Sequence, residues 1–169
     1  IVAKPSSMTP LTASALTEIM DEAGLPNGVF NLVHGSGSKV GKPLSLHRDI
    51  SAVSFTGSTN AGAKVSEAAS STFNKISLEL GGKNPTIVFA DADIKKAVNG
   101  AVKAAFTNQG QVCLCGSRIL VEQTIHDRFL EELVKTTKKM KIGNPSDKNV
   151  NLGPVISHEH RDKVEEYIR

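Results

Sequence analysis

The sequence predicts an α/β fold, a largely parallel sheet covered by helices. Three observations carry this. Short apolar runs rich in Val, Ile, Leu and Phe recur along the chain, helical apolar periods lie between them, and glycine or proline marks most of the joints. Strands alternating with helices of 10–15 residues pair in parallel, because each connection must cross back over the sheet.

The elements follow in order. Ile1-Val2-Ala3 is an apolar, strand-like opening. A helix is expected from Pro10 to Ala23, with proline in its first turn and Gly24 just past its end. Val29 to Val33 reads as a strand, followed by the turn Gly35-Ser36-Gly37-Ser38 and a short helix near Val40 to Leu46. Ala52 to Phe55 is a strand that runs into Thr56-Gly57-Ser58-Thr59 and a helix ending near Ala69. Ile76 to Leu80 is a strand, broken by Gly81-Gly82, and Pro85 to Phe89 is the next. From Asp93 to Phe106 the apolar positions Ile94, Ala97, Val98, Ala101, Val102 and Ala105 keep a 3.6-residue period. Ile119 to Val121 is a strand. Thr124 is then expected to cap a helix carrying Ile125, Phe129, Leu133 and Val134 on one face. Ser157 reads as the cap of a last helix. The break at Gly81-Gly82 divides the chain into expected parts 1–81 and 82–169.

Composition narrows the function classes. The 169 residues are 39% hydrophobic and 22% charged, a globular balance. Lys plus Arg number 20 against 17 Asp plus Glu, a net charge of +3 spread over both halves, so neither nucleic acid nor an anionic membrane is an expected partner. No apolar run approaches the roughly 18 residues of a membrane span. The two cysteines, Cys113 and Cys115, are separated by one residue and cannot staple a fold. The chain opens on Ile1 and closes on the helical stretch Val164 to Arg169, so a piece of a longer protein is expected.

The glycine turns are open to more than one reading. Gly35 to Gly41 follows a strand and opens a helix, a geometry that can offer backbone N–H groups to a phosphate. It misses the dinucleotide fingerprint G-x-G-x-x-G by one residue. It also misses the P-loop, since five residues separate Gly35 from Gly41 and Lys42 precedes Pro43. A plain strand-to-helix turn that needs glycine for its dihedrals accounts for it as well. Gly57-Ser58-Thr59-Asn60-Ala61-Gly62 has the same logic. His158-Glu159-His160 lacks the spacing for two ligands on one helical face, so no metal site is expected. No G-x-S-x-G elbow is present.

The sharper signal is a pair. Asn108 to Arg118 places Cys113 in a polar, glycine-containing segment between a helix and a strand. Glu79 ends an otherwise apolar strand, where a carboxylate is costly to bury unless paired or functional. The glycines after it leave space for a ligand or another backbone.

With Phe55-Thr56-Gly57-Ser58-Thr59, Leu78-Glu79-Leu80-Gly81-Gly82-Lys83-Asn84-Pro85 and Phe106 to Ser117 standing in this order, the sequence resembles the aldehyde dehydrogenase superfamily. Lys4-Pro5-Ser6, Glu22 to Gly28 and Gly143 to Ser157 add to the resemblance, which covers essentially the whole chain. Gly82 to Pro85 together with Cys113-Leu114-Cys115 is similar to the hydroxymuconic and aminomuconic semialdehyde group.

The resemblance implies the C-terminal part of a Rossmann-like cofactor domain over residues 1–81, continuing into the start of an α/β catalytic domain over 82–169. It implies NAD, with NADP also possible, and a small-molecule aldehyde oxidised to its acid. Cys113 would be the nucleophile and Glu79 the general base. Lys4, Ser7, Gly37, Gly57, Ser58 and Gly62 would lie along the cofactor, and Cys115 would be a packing residue. A homo-oligomer and a cytoplasmic location are also implied. The family's upstream oxyanion asparagine and its later nicotinamide-ribose glutamate fall outside this chain, so the chain by itself is expected to be inactive. Two other functions compete: a coenzyme A-acylating enzyme, which Glu79 disfavours, and a non-enzymatic protein of the same fold, which the intact Cys113 and Glu79 disfavour.

Overall fold

A computed structural model describes all residues, Ile1–Arg169. It divides into two compact units, Ile1–Leu80 and Gly81–Arg169.

The first unit holds two strand–helix–strand crossovers in succession. β1 (Val2–Ala3) leads through α1 (Leu11–Glu22) to β2 (Asn31–Leu32), which pairs with β1 in parallel. A wide helical turn at Gly37–Gly41 runs into α2 (Lys42–Ser45). β3 (Ala52–Gly57) then leads through α3 (Thr59–Ser70) to β4 (Lys75–Leu80), again parallel, with Thr56 opposite Glu79 and Gly57 opposite Leu80. Gly62 lies in the first turn and a half of α3 and is buried against β4. A Cβ there would stand 2.6 Å from Leu80 Cδ2, so the helix can approach the strand only without a side chain at this position.

The second unit is a third crossover. β5 (Pro85–Val88) leads through α4 (Ile94–Phe106) to β6 (Arg118–Val121), paired in register from Pro85–Arg118 to Val88–Val121. α5 (His126–Thr137) packs on α4, and α6 (His158–Ile168) follows. Asp93 caps α4, its carboxylate accepting from Lys96 N at 3.1 Å. The core gathers Val88 from β5, Val98, Ala101 and Val102 from one face of α4, and Phe129 from α5, all under 8% exposed. In the first unit Ala68 and Ala69 are the buried apolar residues, and Leu11, Leu16 and Ile19 of α1 stay exposed.

The expected parallel pairing is present, as the short two-stranded sheets β1–β2, β3–β4 and β5–β6. Three expectations need correction. Thr124 does not cap α5: its hydroxyl donates to Glu122 Oε1 at 3.2 Å, and Ile125 precedes the helix with no side-chain cap. The helix expected at Val40 starts earlier, as a wide turn in which Lys42 N–H reaches back to Gly37 O. Ser36 Oγ caps that turn by accepting from Lys39 N, and Pro43 has no N–H to continue an ordinary ladder. Val134 is 42% exposed and lies outside the core, while Phe129 is 1% exposed. The expected caps at Gly24, with φ of +81°, and at Ser157, whose Oγ accepts from His160 N at 3.1 Å, are present.

Phe129 is the largest fully buried side chain. In the full-length protein, Phe129→Ala should cost about 3–5 kcal/mol, read as a lower denaturant midpoint for the transition reporting on this unit. A loss below about 1 kcal/mol would show that this core is not closed on Phe129.

Candidate active site

Most of the candidate cofactor residues lie at the carboxyl ends of the parallel strands of the first unit. Lys4 follows β1 directly, and the glycine turn follows β2. These two connections meet. Lys4 Nζ donates to Gly35 O at 3.3 Å and to Pro5 O at 2.6 Å, and Ser7 Oγ donates to Gly35 O at 3.2 Å. Gly41 adds to the contact, since a Cβ there would lie 3.6 Å from Lys4 Cε. Gly35 has φ of +147°, and its Cβ position is filled by Val40 Cγ2 at 2.5 Å. Gly37 is exposed, with open space around it.

The same end of the β3–β4 pair holds Gly57, Ser58 and Glu79. A Cβ on Gly57 would meet the Phe55 ring at 2.5 Å. Ser58 caps α3, its Oγ accepting from Ala61 N at 3.2 Å. Glu79 is exposed at the penultimate position of β4, opposite Thr56. In open parallel sheets, ligands collect at the carboxyl ends of the strands, where the connections can vary without disturbing the strand pairing.

In the second unit the cysteine turn lies between α4 and β6. Its entry is strained: Asn108, Gln109 and Gly110 have φ of 50°, 56° and 73°. Two non-glycine residues in the left-handed region cost on the order of 1–2 kcal/mol each. Past them Cys113 is exposed and Cys115 buried. Cys115 faces inward, its Sγ 3.9 Å from Thr107 O, in agreement with its expected packing role. Gly116 packs on Thr86, whose Oγ1 would collide with any Cβ there, and its N–H donates to Ala104 O at 3.0 Å.

One residue of this turn's support was not singled out from sequence. Asn84, just before β5, donates from Nδ2 to Cys113 O at 2.6 Å and to Cys115 O at 3.2 Å. Gly82 leaves room for it, since a Cβ there would lie 3.3 Å from Asn84 Oδ1. The available signal was an asparagine directly ahead of a strand and two residues past a glycine. No group of three or more His, Cys, Asp or Glu side chains is arranged to hold a metal, and no helix is long and apolar enough to cross a membrane.

The model of the aldehyde dehydrogenase family matches residues 1–169. The chain belongs to the aldehyde dehydrogenase family. It is 53% identical over 168 residues to a betaine aldehyde dehydrogenase of Bacillus subtilis, covering 99% of this chain and 34% of that protein. It is 43% identical to the human 2-aminomuconic semialdehyde dehydrogenase, covering 100% of this chain and 35% of that protein. Among solved structures, a betaine aldehyde dehydrogenase from Staphylococcus aureus in complex with NAD+ superposes with a TM-score of 0.95 at 47% identity, over 99% of this chain and 33% of that one. The chain thus spans about a third of the length of these aldehyde dehydrogenases. Its similarity takes in betaine aldehyde as well as muconic semialdehyde enzymes.

Proposed function

We propose that the protein carrying this chain oxidises an aldehyde to its carboxylic acid with NAD, and that Cys113 is the nucleophile. In this reading residues 1–81 belong to the cofactor domain and 82–169 to the cysteine domain of a cytoplasmic homo-oligomer. The observation that carries the reading is the cysteine turn. Of two cysteines two positions apart, the one that matches the family nucleophile is exposed and the other is buried. A thiol must reach solvent and substrate to act, and a buried one is inert.

The chemistry follows from the groups present. The Cys113 thiolate attacks the aldehyde carbonyl carbon, and the carbonyl oxygen takes up the charge to give a thiohemiacetal. NAD, when bound, supplies the acceptor for the hydride that leaves this carbon. What remains on Cys113 is a thioester. Glu79 takes a proton from water, the water oxygen attacks the thioester carbon, and the acid leaves as Cys113 regains its thiolate. The donor set of the first unit suits a dinucleotide. Lys4 offers a cation and Ser7 a hydroxyl beside an open glycine turn, and the N-terminus of α3 offers free N–H groups beyond Gly57 and Ser58. Gly62 supports that terminus by letting α3 lie close to β4.

Two outcomes test the assignment in the full-length protein. Glu79→Gln keeps shape and removes the base, so steady-state turnover should fall about 10²–10⁴-fold while a stoichiometric burst of NADH survives. Steady-state rates near normal would leave Glu79 a structural residue. The second outcome concerns Ser7, which is neutral and already tied to Gly35 O, so it does not repel a 2′-phosphate. The preference for NAD over NADP in kcat/KM should stay below about 1000-fold, or ~4 kcal/mol. A larger preference would show that a charge elsewhere sets the choice.

A further inference from the structure

We propose that Asn84 is a positioning residue for Cys113. Its side-chain amide holds two peptide planes of the cysteine turn, so that the Cys113 side chain stays outward while Cys115 stays inward. The inference rests on the reading of Cys113 as nucleophile and goes beyond it, since it names the group that fixes the nucleophile's orientation.

Both neighbours of the Asn84 Nδ2 group are carbonyl oxygens, Cys113 O at 2.6 Å and Cys115 O at 3.2 Å. Only the NH₂ end of an amide can satisfy two acceptors, which settles how the amide is turned. The two bonds use both amide hydrogens and span the residues on either side of Leu114. They therefore fix the peptide planes 113–114 and 115–116 relative to one donor. The donor is itself held. Asn84 O accepts from Arg118 N at 3.2 Å where β5 and β6 begin to pair, and its side chain is half-buried over Gly82.

The rest of the turn explains why such a clamp matters. Its N-terminal side enters through three left-handed residues, so the local backbone preference works against the observed path. On its C-terminal side Gly116 is anchored to Ala104 O and Thr86. Between these points Val112, Cys113 and Leu114 are all exposed, and Leu114 is 79% so. Little packing restrains the apex, and apart from the turn's own bonds, Cys115 N to Val112 O at 2.9 Å and Ser117 N to Cys115 O at 2.8 Å, the Asn84 amide is what ties it down. A nucleophile displaced by about an ångström loses much of its rate even when everything else is bound correctly.

The test uses the full-length protein with Asn84→Ala, which removes both donors, and Asn84→Asp, which keeps the shape and turns donor into acceptor. Both should lower kcat by about 10–100-fold with KM for aldehyde and NAD within about threefold. A readout independent of activity is the pattern of iodoacetamide labelling, followed peptide by peptide by mass spectrometry. In the parent protein Cys113 should be labelled at least about tenfold faster than Cys115, as their exposure requires. Either substitution should narrow that ratio by about fivefold or more, because Cys115 is freed to turn outward. If the labelling ratio collapses while no parent activity exists, the clamp stands and the dehydrogenase reading fails. If kcat and the labelling ratio both stay within twofold, the positioning role is overturned. Asn84→Ser retains one donor and should fall between parent and Asn84→Ala. Failure of all three variants to fold would assign Asn84 to the fold alone and would equally overturn the proposal.

Discussion

Two strands that run in the same direction cannot be joined by a tight turn. The chain must leave the end of one strand, cross over through a helix and re-enter at the start of the next. This constraint is met three times here, by α1, α3 and α4. It decides where chemistry can sit, because side chains on the strand ends and on the connections escape the packing that the strand interiors and helix faces must satisfy. Lys4, the Gly35–Gly41 turn, Ser58 and Glu79 all occupy such positions at the carboxyl ends of their strands. Cys113 occupies the connection that returns α4 to β6.

The crossovers work only if helix and strand approach closely, and small residues make this possible. Gly62 lets α3 touch Leu80, Gly116 lets the cysteine turn lie on Thr86, and Gly82 leaves room for the Asn84 amide. In the second unit the close approach of α4 to β5 is filled by Val88, Val98, Ala101 and Val102, with Phe129 closing the far side. That rigid platform carries a turn whose own backbone is strained and whose tip is exposed. The strain is offset by hydrogen bonds to Asn84 and Ala104 and by burial of Cys115.

Much of this was legible in the sequence because period and punctuation agree. The α4 face was readable from Val98, Ala101 and Val102, and the ends of α1 and α6 from Gly24 and Ser157. Cys113 stood out as a thiol in a polar, glycine-containing segment and Glu79 as a carboxylate in an otherwise apolar strand, and both are exposed in the structure. Other features were hidden for physical reasons. Thr124 satisfies the sequence rule for a cap, but it lies inside the tight helical turn Gln123–Ile125, which leaves Ile125 at the cap position of α5. Phe73 adopts φ of 54° at the α3–β4 turn while 95% exposed, a conformation that no propensity assigns to a bulky residue. Asn84 was hidden because its partners are backbone carbonyls 29 and 31 residues away, and carbonyls carry no sequence signature.

As a nucleophile, the exposed sulfur of this turn must form a covalent bond to the substrate carbon during turnover. The most direct measurement is rapid acid quench of the full-length protein during turnover with NAD and an isotopically labelled aldehyde, then mass spectrometry of the peptide containing both cysteines. An acyl adduct is expected on Cys113, at the mass of the aldehyde less two hydrogens, and none on Cys115. An adduct on Cys115, or turnover with neither cysteine ever modified, would contradict the assignment of Cys113 as nucleophile.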